Sequence, residues 1–301
     1  MTDGPVPIPI VVIGEALVDQ FRDGPVAGGA PFNVARSLAA FGAPVQFISR
    51  IGVDDAAGRL VLDSAARFGL STSGIQRDEQ RATGRVSVHE AGGVHRFEIH
   101  ADAAWDHLER PAISCGGIVY FGSLAQRHPV ARAALRGLVK QGQGVRLLDL
   151  NLRAGASEPM LAAESLMLAD WVKINEDELD QLFDWFEPTL PELMARFALK
   201  RIVLTRGAAG YAFYGEQGRL LACGAGVAQP AFVDSVGAGD SFTAMLLAGL
   251  SLGRDVAATL ALANRYAAMI CGVRGPLPDD ATLLALWRDA LQALPACGAA
   301  A

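Results

Sequence analysis

The sequence predicts an α/β protein: a mostly parallel central sheet flanked by helices, with a small β-strand lid. Three observations lead there. Short, near-continuous apolar runs alternate with helix-patterned stretches over residues 8–205, as expected of parallel strands covered on both faces. From residue 238 onward the pattern is helical. Two segments, 15–27 and 84–100, break the rhythm with polar alternation and read as short strands outside the main sheet.

The sheet strands are predicted at 8–14 (IPIVVIG), 45–51 (VQFISRI), 117–122 (GIVYFG), 145–150 (VRLLDL), 171–175 (WVKIN) and 201–205 (RIVLT). Helices are predicted between them at 31–41, 54–68, 128–141, 158–168, 176–185 and 189–198, and then at 238–252, 255–271 and 279–293. Segment 84–100 reads as a hairpin turning at Gly92 and Gly93, and with 15–27 it forms the expected lid. No internal repeat or long low-complexity linker appears, so residues 1–301 are expected to form a single domain.

Hydrophobic residues make up 51% of the chain, enough for a sizeable core. The net charge of −6 comes with no basic block, which argues against a nucleic-acid partner. No uncharged apolar run reaches about 18 residues. The longest candidate, 256–273, is broken by Asn264 and Arg265, so no membrane partner is expected. The N-terminal apolar run has no preceding Lys or Arg, unlike a secretory signal. Cys115, Cys223, Cys271 and Cys297 form no CxxC pair and are expected to be reduced, mostly buried thiols of a cytoplasmic protein.

The stretch DSVGAGDSF, 234–242, places Gly237, Ala238 and Gly239 ahead of an apolar helix. Small residues at a helix N-terminus bring unpaired N–H groups and a partial positive charge close to a ligand, an arrangement suited to phosphate. Asp240 would repel that anion unless it takes a proton from an attacking hydroxyl; the alternative is that it only complements the helix dipole. No GxxxxGK[ST], HExxH or GxSxG occurs, and no GxGxxG opens a helix after the first strand. His89, His95, His100 and His107 match no metal-site spacing and read as solvent-facing lid residues. In GGAPFNVARSLAAFG, 28–42, Gly28 and Gly29 make a turn, Pro31 suits a helix start, and the Asn33 amide sits on the first turn. Alone, this stretch reads as an ordinary Gly-Gly turn and helix start.

Together the two stretches resemble the ribokinase-like (PfkB) carbohydrate kinase family. Its Gly-Gly turn followed by Asn matches Gly28, Gly29 and Asn33, and its D-[ST]-x-G-A-G-D-x-F signature is matched in full from Asp234 to Phe242. The similarity spans residues 8–295 and implies a three-layer ribokinase-like fold and a sugar kinase using ATP and Mg²⁺. It implies Asp240 as base, with the Gly237–Ala238–Gly239 turn holding developing charge. Asp19 in GEALVD becomes a sugar-hydroxyl ligand, and Asn175 and Glu178 in NEDE lie near Mg²⁺, Glu178 through water. Thr205, Gly207 and Gly210 in LTRGAAG lie beside the nucleotide, and Asn264 near the adenine.

The variant GGAPFNVA is similar to fructokinases, as is LDLNLR, which places Asn151 and Arg153 on the sugar. Arg153 equally suits a sugar acid such as 2-keto-3-deoxygluconate, and a ribokinase is a further alternative of the same family. A non-catalytic sugar or nucleotide sensor is the reading from another class. Asp234 and the shortened loop CGVRGPLP, 271–278, form a candidate K⁺ site beside the anion hole. The lid is expected to pair two copies into a homodimer.

Overall fold

The computed structural model describes residues 6–91, 94–113, 115–153, 158–229 and 231–298. Strand β1 (Ile10–Ile13) runs into the lid strands β2 (Leu17–Phe21) and β3 (Gly24–Gly28). Helix α1 (Ala30–Ala40) leads to β4 (Val45–Gly52), and α2 (Ala56–Arg67) to β5 (Ile75–Asp78). The lid resumes with β6 (Gly84–Ala91) and β7 (Val94–Ile99); the expected turn at Gly92 and Gly93 lies outside the described residues. Then come β8 (Ile118–Gly122), α3 (Pro129–Gln141), β9 (Arg146–Asp149), α4 (Pro159–Leu166) and β10 (Trp171–Asn175). They are followed by α5 (Glu176–Trp185), α6 (Leu190–Arg196), β11 (Arg201–Thr205), β12 (Tyr211–Tyr214) and β13 (Leu220–Gly224). Helices α7 (Ala238–Ser251), α8 (Val256–Ile270) and α9 (Ala281–Gln292) complete the chain.

The nine-stranded sheet has the order β13-β12-β11-β10-β9-β8-β1-β4-β5, parallel except where β12 and β13 turn back at one edge. Alternation along β1 divides the core. Ile10 and Val12 join the layer of α1, α7 and α8, whereas Val11 and Ile13 join that of α3 to α6. The order reverses at β1 and β8, the switch point where the C-terminal ends of open α/β sheets leave a crevice. The lid is a separate sheet, β3-β2-β6-β7, fed directly from β1, which places it over that crevice.

Helix boundaries fall within two residues of those predicted, each set by a local device. Asp55, for example, starts α2 by accepting from the Gly58 N–H. Strands β5, β12 and β13 were not anticipated: IQRD is mostly polar, and YAFY and LLACG follow β11 across short turns with no helix-patterned stretch between them; β5 and β13 are the sheet edges. The thiols are free, but only Cys115 is buried; Cys223 and Cys297 are exposed, correcting the expectation of mostly buried cysteines. His107 is not a solvent-facing lid residue. It sits in a helical turn after the lid, bonded to Asp102 at 2.8 Å with its ring 4.3 Å from that of His128. The side chains of His89 and His95 lie outside the described residues. Among the described residues no helix is long and apolar enough to cross a membrane.

Candidate active site

A cavity of about 360 Å³ opens at the C-terminal ends of β1, β9, β10 and β11, roofed by Leu17, Val86 and Ile99 of the lid. Its lining brings together Asp19, Gly29, Asn33, Asn151, Arg153, Asn175, Thr205, Gly237, Gly239 and Asp240, residues drawn from six separate stretches of sequence. Gly28 borders the adjoining cleft, which shares Asp19 and Asn33 with the cavity. A Cβ at Gly28 would overlap the Asp19 carboxylate, so the lid strand passes close over it only because that position is glycine. Asn151 has φ 43°, a left-handed conformation that Asn tolerates better than most residues, and it turns the chain off β9 into the cavity wall.

Asp240 occupies the first turn of α7, whose N-cap Gly237 has φ 77°. A side chain there would be strained and would overlap Pro276, so the turn requires glycine. Asn33 donates from Nδ2 to Oδ2 of Asp240 at 2.7 Å, joining the two signature stretches across 207 residues. The expected anion hole is narrower than the motif implied. The Val236 N–H is taken by Asp234 Oδ1 at 2.8 Å and the Ala238 N–H by the Ser235 carbonyl at 3.2 Å. The amides of Gly239 and Asp240, within the first turn of α7, have no carbonyl four residues back inside the helix and are open to a ligand.

Beneath this turn lies a buried ion pair that sequence reasoning missed. Lys173 and Asp149 face each other in the β9–β10 register, with Nζ 3.0 and 2.9 Å from the two carboxylate oxygens. The Thr243 hydroxyl of α7 shares its one hydrogen between the Gly239 carbonyl at 2.9 Å and Asp149 at 3.2 Å, setting the helix against the sheet. Burial disfavours the Lys173 charge, but Asp149, Glu178 and Asp240 outweigh it and hold the ammonium above its ordinary range. The sequence signal was a lone lysine inside the apolar run WVKIN, in a chain with only two others, Lys140 and Lys200.

Glu15, also missed, is 3% exposed, lines the cavity, and has one carboxyl oxygen without a partner. Burial, with Asp240 adding to it against Arg153 and Arg127, raises it to about 7. Asp19 rises to about 6, from burial first and then the Asp240 charge. Asp240 is raised too: burial and Asp149 push it up, while Asn33, Lys173 and Arg153 favour the anion.

Of the remaining expected residues, Asn175 and Thr205 reach the cavity and the others are used structurally or lie farther out. Asn175 and Glu178 form a capping box at the start of α5, and Glu178 accepts from the Leu152 N–H at 2.8 Å and the Asn175 N–H at 2.9 Å. Thr205 lines the cavity, and the 207–210 turn packs on residues 224–226. Asn264 donates to the Ala225 carbonyl at 2.9 Å, on that same side of the sheet edge and away from the cavity lining. Asp234 is the acceptor of a local turn, and the Cys271 carbonyl accepts from the Val233 N–H. Among the described residues no group of three His, Cys, Asp or Glu could hold a metal ion.

Residues 11–282 match the pfkB family carbohydrate kinase. A fructokinase of Klebsiella pneumoniae is 30% identical over 94% of this chain and 98% of its own. The structure of an uncharacterized sugar kinase from Pyrococcus horikoshii superposes with TM-score 0.80 at 26% identity, covering 94% of this chain and 99% of that one. A Vibrio cholerae fructokinase double mutant, solved in its fructose, ADP and potassium ion bound form, gives TM-score 0.78 at 26% identity over 93% and 98%.

Breaking the pair under α7 strands a buried charge. The Lys173→Met variant is expected to lose about 3–5 kcal/mol of unfolding free energy. Adding Asp149→Asn should return part of that loss. Denaturant unfolding of Lys173→Met and of the double variant checks this; a double variant no more stable than Lys173→Met would contradict it.

Proposed function

The chain belongs to the pfkB family of carbohydrate kinases, and from that premise we propose that it transfers the γ-phosphate of ATP to a primary hydroxyl of fructose. The observation that carries the reading is the Asp240 carboxylate, set at the N-terminus of α7 inside the cavity and held by Asn33. The likeness to a fructokinase at 30% identity and the residues Gly28–Asn33, Asn151 and Arg153 support fructose as the acceptor. The same cavity, with Arg153 in its wall, is also compatible with a sugar acid.

In this mechanism the acceptor hydroxyl lies against Asp19, Asn33, Asn151 and Arg153. Asp240 takes its proton as the new O–P bond forms and the bond from the γ-phosphorus to the β-phosphate oxygen breaks, releasing ADP. The free amides of Gly239 and Asp240 meet the charge that develops on the phosphoryl oxygens, and Lys173 below adds a fixed positive charge. Lid residues Leu17, Val86 and Ile99 exclude water that would compete as acceptor. Both Glu178 oxygens already accept backbone N–H groups, so Asn175 and Glu178 would reach a Mg²⁺ only through water. That ion would neutralise phosphate charge. A K⁺ beside the anion hole would rest on the second oxygen of Asp234, since its first is taken by Val236.

Asp240→Asn should lower kcat at least about 10²-fold while nucleotide binding persists, measured by coupled ADP release and by titration with ATP. Near-normal turnover would remove Asp240 as the base. On a panel of fructose, ribose, tagatose, 2-keto-3-deoxygluconate and adenosine, fructose should give the highest kcat/KM. Another leader would change the acceptor while leaving the kinase intact, and no turnover on any would favour a sensor. The edges of the four-stranded lid sheet support pairing with a second copy, so sedimentation should give the mass of a dimer rather than one chain.

A further inference from the structure

Arg36 lies one helical turn beyond Asn33 on α1 and is 4% exposed. Its guanidinium donates to Asn33 Oδ1 at 2.5 Å, to the Ser64 hydroxyl of α2 at 2.6 Å and to the Ala27 carbonyl of β3 at 3.1 Å. The guanidinium carbon also sits 4.4 Å from the centre of the Phe32 ring. Burial lowers it to about 10, with the charges of Asp240 and Asp19 opposing that fall. Its hydrogen-bond partners are all neutral, an expensive setting for a buried cation, and neither the phosphoryl chemistry nor the signature motif uses it.

We propose that Arg36 is a positioning residue for the base: by taking the Asn33 side-chain oxygen it turns the Asn33 NH₂ onto Oδ2 of Asp240. A guanidinium has five donors and no acceptor, so only the oxygen of the Asn33 amide can face it. The NH₂ is then the group that meets Asp240 at 2.7 Å. The reversed amide would set donor against donor at Arg36 and oxygen against carboxylate at Asp240. A donated hydrogen bond favours the ionised carboxylate, the form a base needs. It opposes the carboxyl groups that also face Asp240, Glu15, Asp19 and Asp149, and acts alongside Lys173 and Arg153. With Oδ2 so occupied, Oδ1 is the oxygen offered to the acceptor hydroxyl. The chain of contacts begins at the lid, because the Ala27 carbonyl belongs to the strand that carries Gly28.

The proposal rests on Asp240 as the base, and its test has one arm that does not. In neutron diffraction of the wild-type protein, deuterium density on Asn33 should lie on the atom facing Asp240; density on the atom facing Arg36 would overturn the proposal whatever the enzyme's activity. In the second arm, Arg36→Met should move the acid limb of the kcat/KM profile up by about one pH unit with KM for ATP unchanged. Arg36→Lys, which keeps a donor-only group, should bring the limb back toward its wild-type position. A Met variant with a lower melting temperature but an unmoved limb would make Arg36 merely structural and overturn the proposal. Should that variant fail to fold, the neutron result decides. Full turnover in Asp240→Asn would sink the functional reading and leave the amide orientation to stand or fall by itself.

Discussion

Glu15, Asp19, Asp149 and Asp240 line one cavity, and the free energy of burying four carboxyl groups together limits every other choice the site makes. Two of them are kept in part neutral: Glu15 sits near 7 and Asp19 near 6. Asp149 is matched by Lys173, and Asp240 by a hydrogen bond, a helix N-terminus and the same lysine. The arrangement works against the fold. Glu15 and Asp19 hold their protons more tightly folded than unfolded, so the stability they contribute is complete below their ordinary values and is lost as pH rises through about 6 and about 7. A site tolerating that loss has negative charge for a use other than stability.

Topology gathers these groups without long loops. Parallel strands deliver their following residues to one edge, so Glu15 after β1, Asp149 to Arg153 at the end of β9 and Asn175 at the end of β10 meet there. Helix α7 points its N-terminus at the same edge and is fixed by the Thr243 bond to Asp149. The strand pairing that sets Lys173 opposite Asp149 thus also fixes the height at which Asp240 enters the cavity. The lid completes the enclosure from β1 and, through Ala27 and Arg36, touches the group that holds the base.

Much of this was legible in the chain. Apolar runs such as IPIVVIG and RIVLT mark central strands because both faces are buried, and the turn at Gly237 is marked because a left-handed N-cap packed on proline admits little else. The edge strands β5 and β13 were not: IQRD is mostly polar, and LLACG follows β12 across a short turn with no helix-patterned stretch between. Motifs located Asp240 and Asn33, and the structure joined them by a hydrogen bond. Glu15, Arg36, Asp149 and Lys173 each stood inside stretches singled out for other residues, yet their importance depends on which charges lie across the sheet, and one sequence does not encode that locally. In the other direction, Ala238 fitted the motif, but its N–H is spent on the Ser235 carbonyl, a turn bond no motif records.

For Asp240 to serve as the base, its buried carboxylate must be ionised when the acceptor hydroxyl arrives. Carbon-13 NMR titration of its carboxyl, assigned by its loss in an Asp240→Asn sample, measures this directly. The expected midpoint lies above the ordinary aspartate value of 3.8, because burial and Asp149 outweigh the opposing pull of Asn33, Lys173 and Arg153. A midpoint at or below 3.8 would contradict that balance, and a carboxyl still protonated at about pH 7 would contradict the role of base.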